Sequence, residues 1–142
     1  EMPDVQRIQT VPGVGLLTAT AIVAFVGDAR RFPSGRHFAA FLGLTPKETS
    51  SGGKQRMGRI SKRGDAYLRT LLVQGASTVM ISAKKAKHPD HLKQWALAIE
   101  RRTHRNKAAC AVANKMARII WAVWCSEESY NPTPAQTRKR AA

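Results

Sequence analysis

The stretch IQTVPGVGLLTATAIVAFVG, Ile8 to Gly27, decides the fold class. Asp4 to Thr10 can form a short helix, Val11-Pro12-Gly13-Val14-Gly15 must turn, and Leu16 to Gly27, rich in Ala and aliphatics, restarts a helix. A Gly-x-Gly turn that opens a helix leaves backbone N–H groups unpaired beside the helix's partial positive end, which makes a shape-based cradle for a phosphate. Gly13, Val14 and Gly15 are therefore candidate nucleic-acid contacts. The competing reading is a tight αα-turn in which Gly13 and Gly15 only supply unusual φ angles.

Outward from this pair the chain keeps reading as helix. Asp28 to Pro33 breaks the pattern, Ser34 can cap a helix over Gly35 to Leu42, and Gly43 suits its C-terminal end. Phe38 and Phe41, three apart, share its buried face. From Asp65, Leu68, Leu71, Leu72, Gly75 and Val79 recur at helical spacing, with Arg63, Arg69 and Lys84 outside the stripe. A Pro-started helix from His88-Pro89 runs to about Arg102, with Leu92, Trp95, Ala96 and Ile99 on one face. Arg105 to Cys125 is the last and longest, carried by Ala109, Val112, Met116, Ile119, Ile120 and Val123. Trp121 and Trp124 sit in this apolar run as packing residues. The expected architecture is all-α: a helical bundle with a helix-hairpin-helix at 4–27 and one long basic Ser/Gly loop. Residues 1–130 form one domain, and 131–142, with Arg138-Lys139-Arg140, form a basic disordered tail.

The 142 residues suffice for one domain with a real core. Lys and Arg number 24 against nine Asp and Glu, a formal net charge of +15. Such a chain self-repels unless a polyanion binds it, so DNA or RNA is the leading partner. No membrane partner is expected: the continuous apolar part of the uncharged run, Leu16 to Val26, is too short for a span. The start, Glu1-Met2-Pro3-Asp4, lacks signal-peptide order, and the expectation is a cytosolic, C-terminal part of a longer protein. Cys110 and Cys125 fall in one helix about 22 Å apart, beyond disulfide reach. His88 and His91 lack the further ligands of a zinc site.

The segment without either period is Leu44 to Ile60, loop with room for a short hairpin. It leads into TSSGGKQRMGRISKRGD, Thr49 to Asp65, in which Lys54, Arg56, Arg59, Lys62 and Arg63 bring five cations and no acid before Asp65. Two readings stand: a solvated charged loop, or a serine nucleophile beside a phosphate site. The second needs cations for the charge that develops on phosphorus. It also needs a route for the hydroxyl proton. Metal-assisted phosphodiester chemistry calls for converging carboxylates, and the nine acids, Glu1, Asp4, Asp28, Glu48, Asp65, Asp90, Glu100, Glu127 and Glu128, are scattered with no paired motif. The chain offers no metal-binding set of its own.

Helix-Gly-hairpin, Phe32-Pro33-Ser34, Gly43-Leu44-Thr45-Pro46, Ser51-Gly52, Gly58-Arg59-Ile60-Ser61-Lys62-Arg63-Gly64-Asp65 and Asn114-Lys115-Met116-Ala117-Arg118 occur together and in order. From about Val5 to Tyr130 the chain resembles the C-terminal domain of insertion sequence 110 family transposases. The turn alone is similar to helix-hairpin-helix modules of DNA-repair and recombination proteins. The family resemblance implies a DNA recombinase of two parts. An N-terminal RuvC-like domain, not included in this stretch, carries acidic ligands for magnesium, and the helical C-terminal domain carries a serine nucleophile. Members can be guided by a structured RNA from the element, and strand synapsis implies a homo-oligomer. The family's Ser-Gly falls on Ser51-Gly52, with Ser50 as the alternative because a second Ser precedes it. A reading of another class stays open: a non-catalytic helix-hairpin-helix domain that binds nucleic acid.

Overall fold

Two glycines set the packing of the first helix pair. In the computed structural model, which describes residues 3–51, 54–60 and 65–132, with the backbone alone in 46–51 and 54–60, α1 (Pro3–Gln9) and α2 (Leu16–Val26) flank a turn with Gly13 at φ +83°. That φ suits glycine because a Cβ there meets the backbone. A Cβ on Gly13 would lie 2.7 Å from the Gly75 carbonyl oxygen and 2.8 Å from Val79 Cγ2, and one on Gly75 would lie 2.3 Å from the Gly13 oxygen. The turn thus rests backbone to backbone on α4 (Ala66–Lys85). Val11 N–H donates to the Ile8 carbonyl and Val14 N–H to the Val11 carbonyl, both at 3.1 Å, closing the turn.

Local caps define the remaining starts. Asp28 accepts from Arg30 N–H at the head of a 3₁₀ turn, Ala29–Arg31. Ser34 accepts from His37 N–H at the head of α3 (Gly35–Phe41), which ends at Leu42 before Gly43 at φ +73°. Asp65 accepts from Leu68 N–H at 2.9 Å and begins α4. Asp90, rather than Pro89, caps α5 (His91–Arg102), accepting from Lys93 N–H at 2.9 Å. The expected Pro-started helix is corrected by two residues, from Pro89 to a start at His91: a carboxylate can satisfy an orphan N–H, whereas Pro can only avoid having one.

The longest helix, α6 (Arg105–Ser126), packs against α1, α3, α4 and α5. Ala108, Ala109, Ala113 and Ala117 are all buried along it, so neighbouring backbones come close. Ile8, Ile22, Phe38, Leu42, Leu68, Leu72, Met80, Leu92, Met116 and Ile120 fill the core between them. Cys110 and Cys125 are free and half-buried in α6. Burial pushes the Cys125 thiol above its ordinary value, against the nearby Arg30 charge. Trp124 is buried, and Trp121 donates its indole N–H to the Ala29 carbonyl at 3.0 Å. Beyond α6, Tyr130 N–H donates to Thr10 Oγ1 at 2.8 Å. No helix among the described residues is long and apolar enough to cross a membrane.

The helical class expected from the sequence holds, and the segment without helical period is a two-stranded antiparallel hairpin, β1 (Pro46–Ser51) and β2 (Lys54–Ile60). The two strands pair from Pro46 with Ile60 to Ser51 with Lys54.

Two outcomes test this frame. Gly13→Ala combines a strained φ with contacts under 3.0 Å and is expected to cost about 2–4 kcal/mol. Gly15→Ala, exposed with nothing within 4 Å, should cost under about 1 kcal/mol; equal urea midpoints for the two variants would refute the turn's packing role. Asp65→Ala should lower stability by about 1 kcal/mol through loss of the α4 cap, read from the same denaturation curves.

Candidate nucleic-acid interface

The hairpin is entered through a fixed point. Leu44 is buried, and its carbonyl accepts from Asn114 Nδ2 of α6 at 3.2 Å, two residues before β1 begins. From there the register pairs Pro46 with Ile60 and, after an irregularity between Pro46 and Glu48, Glu48 with Met57, Thr49 with Arg56, Ser50 with Gln55 and Ser51 with Lys54. The two candidate serines thus occupy different register positions. Ser51 is last in β1 and opposite a cation; Ser50 is opposite a neutral amide.

Among the expected cations, Lys54, Arg56 and Arg59 all lie in β2. Their backbone is placed by the strand pairing, whereas Lys62 and Arg63, with Gly52 and Gly53, lie outside the described residues. The hairpin therefore gathers Ser51, Lys54 and Arg56 within a few register steps of one another. Asp65, where the following segment rejoins the helices, is spent on the α4 cap.

The glycine turn behaves differently from the expected cradle. Gly13 faces α4, and Val14 is buried with its N–H already donated to Val11. Val14 is thus withdrawn from solvent, and Gly13 is half-buried because the turn must pass against Gly75 and Met116. Gly15 alone is exposed, with extended backbone, φ −96° and ψ −175°, and offers no side-chain cap to α2. Beside it Leu16 and Leu17 are each 63% exposed. The lip of the turn is thus neutral and partly apolar. Its contact with a nucleic acid would run through backbone groups.

One cation near this region escaped the periodicity. Arg69 stands one turn into α4, is half-buried, and has its Nη1 buried with no hydrogen-bond partner. Spacing placed it outside the apolar stripe and said nothing of where a long guanidinium stem bends. No three His, Cys, Asp or Glu side chains converge among the described residues, so these residues do not fit a metal ion.

Comparison with known proteins places the chain among transposases. The model of the IS116/IS110/IS902 transposase family matches residues 5–93, from α1 into α5. A probable family 20 transposase of Pseudomonas aeruginosa is 48% identical over 128 residues, 90% of this chain and 37% of that protein. The transposase for insertion sequence element IS1111A of Coxiella burnetii is 44% identical over 127 residues, 89% and 34% of the two chains. The transposase for element IS1328 of Yersinia enterocolitica is 43% identical over 118 residues, 83% and 35%. The chain spans about a third of the length of these relatives. Motif order, helical frame and relatedness along nearly all of its length agree, and the chain belongs to the IS116/IS110/IS902 transposase family.

Proposed function

We propose that this chain is the serine-bearing, nucleic-acid-binding portion of a transposase, and that Ser51 is its nucleophile. The observation that carries this reading is the hairpin register, which sets Ser51 opposite Lys54 at the glycine end of the strands, with Arg56 two positions on. A serine hydroxyl attacks a phosphodiester only where cations stabilise the charge developing on the phosphoryl oxygens. Lys54, Arg56 and Arg59 supply that charge from β2, with Lys62 and Arg63 next in sequence. Ser50 faces Gln55, which supplies no charge, so the register favours Ser51 of the two.

In the proposed step Ser51 Oγ gives up its proton to solvent and bonds to phosphorus, the bridging oxygen of the cut strand leaves and is protonated to a strand-end hydroxyl, and the phosphoserine link keeps the bond energy for rejoining to another strand. Gly15, the one exposed residue of the turn, would hold a duplex backbone through main-chain groups. The described residues do not assemble a magnesium site. The metal-holding carboxylates are therefore proposed to belong to a RuvC-like part of the two thirds of the relatives' length that this chain does not span. The full protein would bind DNA, take a structured guide RNA where the element encodes one, act as a homo-oligomer, and work in the cytosol on the nucleoid.

In a full-length transposase carrying this sequence, Ser51→Ala should cut strand exchange by several orders of magnitude and remove the covalent protein–DNA adduct while leaving DNA binding in place. An adduct that survives Ser51→Ala but not Ser50→Ala moves the nucleophile by one residue. One that survives both favours the non-catalytic binding domain. The 142-residue chain alone should bind duplex DNA yet nick none of it with magnesium present, as a supercoiled-plasmid assay would read. Nicking by the pure chain would end the divided-site reading.

A further inference from the structure

The hairpin accounts for only part of the positive charge. Residues 84–107 hold eight Lys and Arg against two acids, Asp90 and Glu100, and both acids are engaged. Asp90 caps α5, and Glu100 accepts from Lys84 Nζ at 3.2 Å. That ion pair ties the end of α4 to the end of α5. It brings Lys84 and Lys85 at the end of α4 to Arg101 and Arg102 at the end of α5, and only Thr103 and His104 separate these from Arg105 and Lys107 in the first turn of α6; all six are exposed.

Local stability explains some of these cations and not others. Lys84, Lys85, Arg101 and Arg102 stand in the last turns of their helices, where the dipole favours positive charge. Arg105 and Lys107 stand in the first turn of α6, where the dipole disfavours it, and that turn has no acidic residue and no side-chain cap. Two cations are thus held where helix physics selects against them, beside four more of the same sign. Closely placed like charges raise the energy of the free protein, and a polyanion relieves it.

We propose that this cluster is a second phosphate-binding surface, separate from the hairpin, that holds the backbone of a nucleic acid without reading its bases. The inference rests on the nucleic-acid-binding reading above and adds its second contact. The twenty residues of α4, roughly 30 Å at 1.5 Å per residue, stand between the cluster and Asp65, where the hairpin segment rejoins the helices. A duplex turn is about 34 Å, so a nucleic acid of about one turn reaches from one end of α4 to the other. Phosphates are the shared chemistry of DNA and of a structured RNA, and both are tried.

The test is the salt dependence of binding by the 142-residue chain to a 20-base-pair DNA duplex and to an RNA hairpin of equal length, for wild type, R105A/K107A and R56A/R59A. The R105A/K107A pair removes charges that the α6 dipole opposes, so its thermal unfolding should be unchanged or raised, which keeps a folding defect from mimicking the result. On at least one of the two nucleic acids its slope of log K against log salt should be shallower by about two. Affinity should drop by some tens-fold at 0.1 M salt. The arm that responds names the occupant. Salt-dependent binding by wild type with an unchanged slope for R105A/K107A in both arms overturns this surface and leaves the hairpin reading intact. Absence of salt-dependent binding by wild type to either nucleic acid overturns both.

Discussion

The contact between Gly13 and Gly75 is the constraint on which the arrangement depends. Neither position has room for a Cβ, since each would press on the other's backbone or on Met116 of α6. The turn between α1 and α2 is therefore wedged where α4 and α6 meet. This brings Ile8, Val11, Val14 and Ile22 into the common core. It also sets which part of the turn faces outward. With Val14 buried and Gly13 half-buried against α4, Gly15 and the first turn of α2 form the outer lip. A turn of this kind can serve packing and phosphate contact together only by dividing them between its two glycines.

The parts of the fold that were legible in the sequence are those set by neighbours in sequence. Ser34 and Asp65 read as caps because a side chain one turn ahead of orphan N–H groups can satisfy them wherever the helix sits. The stripes of α4 and α6 read as core because burial follows the 3.6-residue period. The hairpin did not read with the same clarity. Its strands, PKETSS and KQRMGRI, carry no alternating apolar face, so no hydrophobic pattern marks the register in the sequence. The packing role of Gly13 is not legible locally, because its partner, Gly75, is 62 positions away in the chain and no local pattern marks that contact. The charge of the 84–107 segment was visible, but its gathering into one surface depends on the Lys84–Glu100 pair across two helices.

Acidic residues show how a +15 chain keeps a stable helical fold while leaving its positive charge available. Asp28, Asp65 and Asp90 each accept a backbone N–H at a helix start. Asp4 pairs with Arg7, Glu100 with Lys84 and Glu127 with Arg30. These six carboxylates are spent locally, and capping by a single Asp is worth about 1 kcal/mol, so recruiting the capping groups to a metal would undo helix starts spread over the length of the fold. These six acids are thus structural, whereas Lys85, Arg101, Arg102, Arg105 and Lys107 at the α4–α6 end are exposed, and Glu100 there is already paired with Lys84. On the proposed reading, that division leaves metal-holding carboxylates to other parts of a transposase. The same reading gives this part the proposed tasks of holding phosphate backbones and presenting a serine to the strand to be cut.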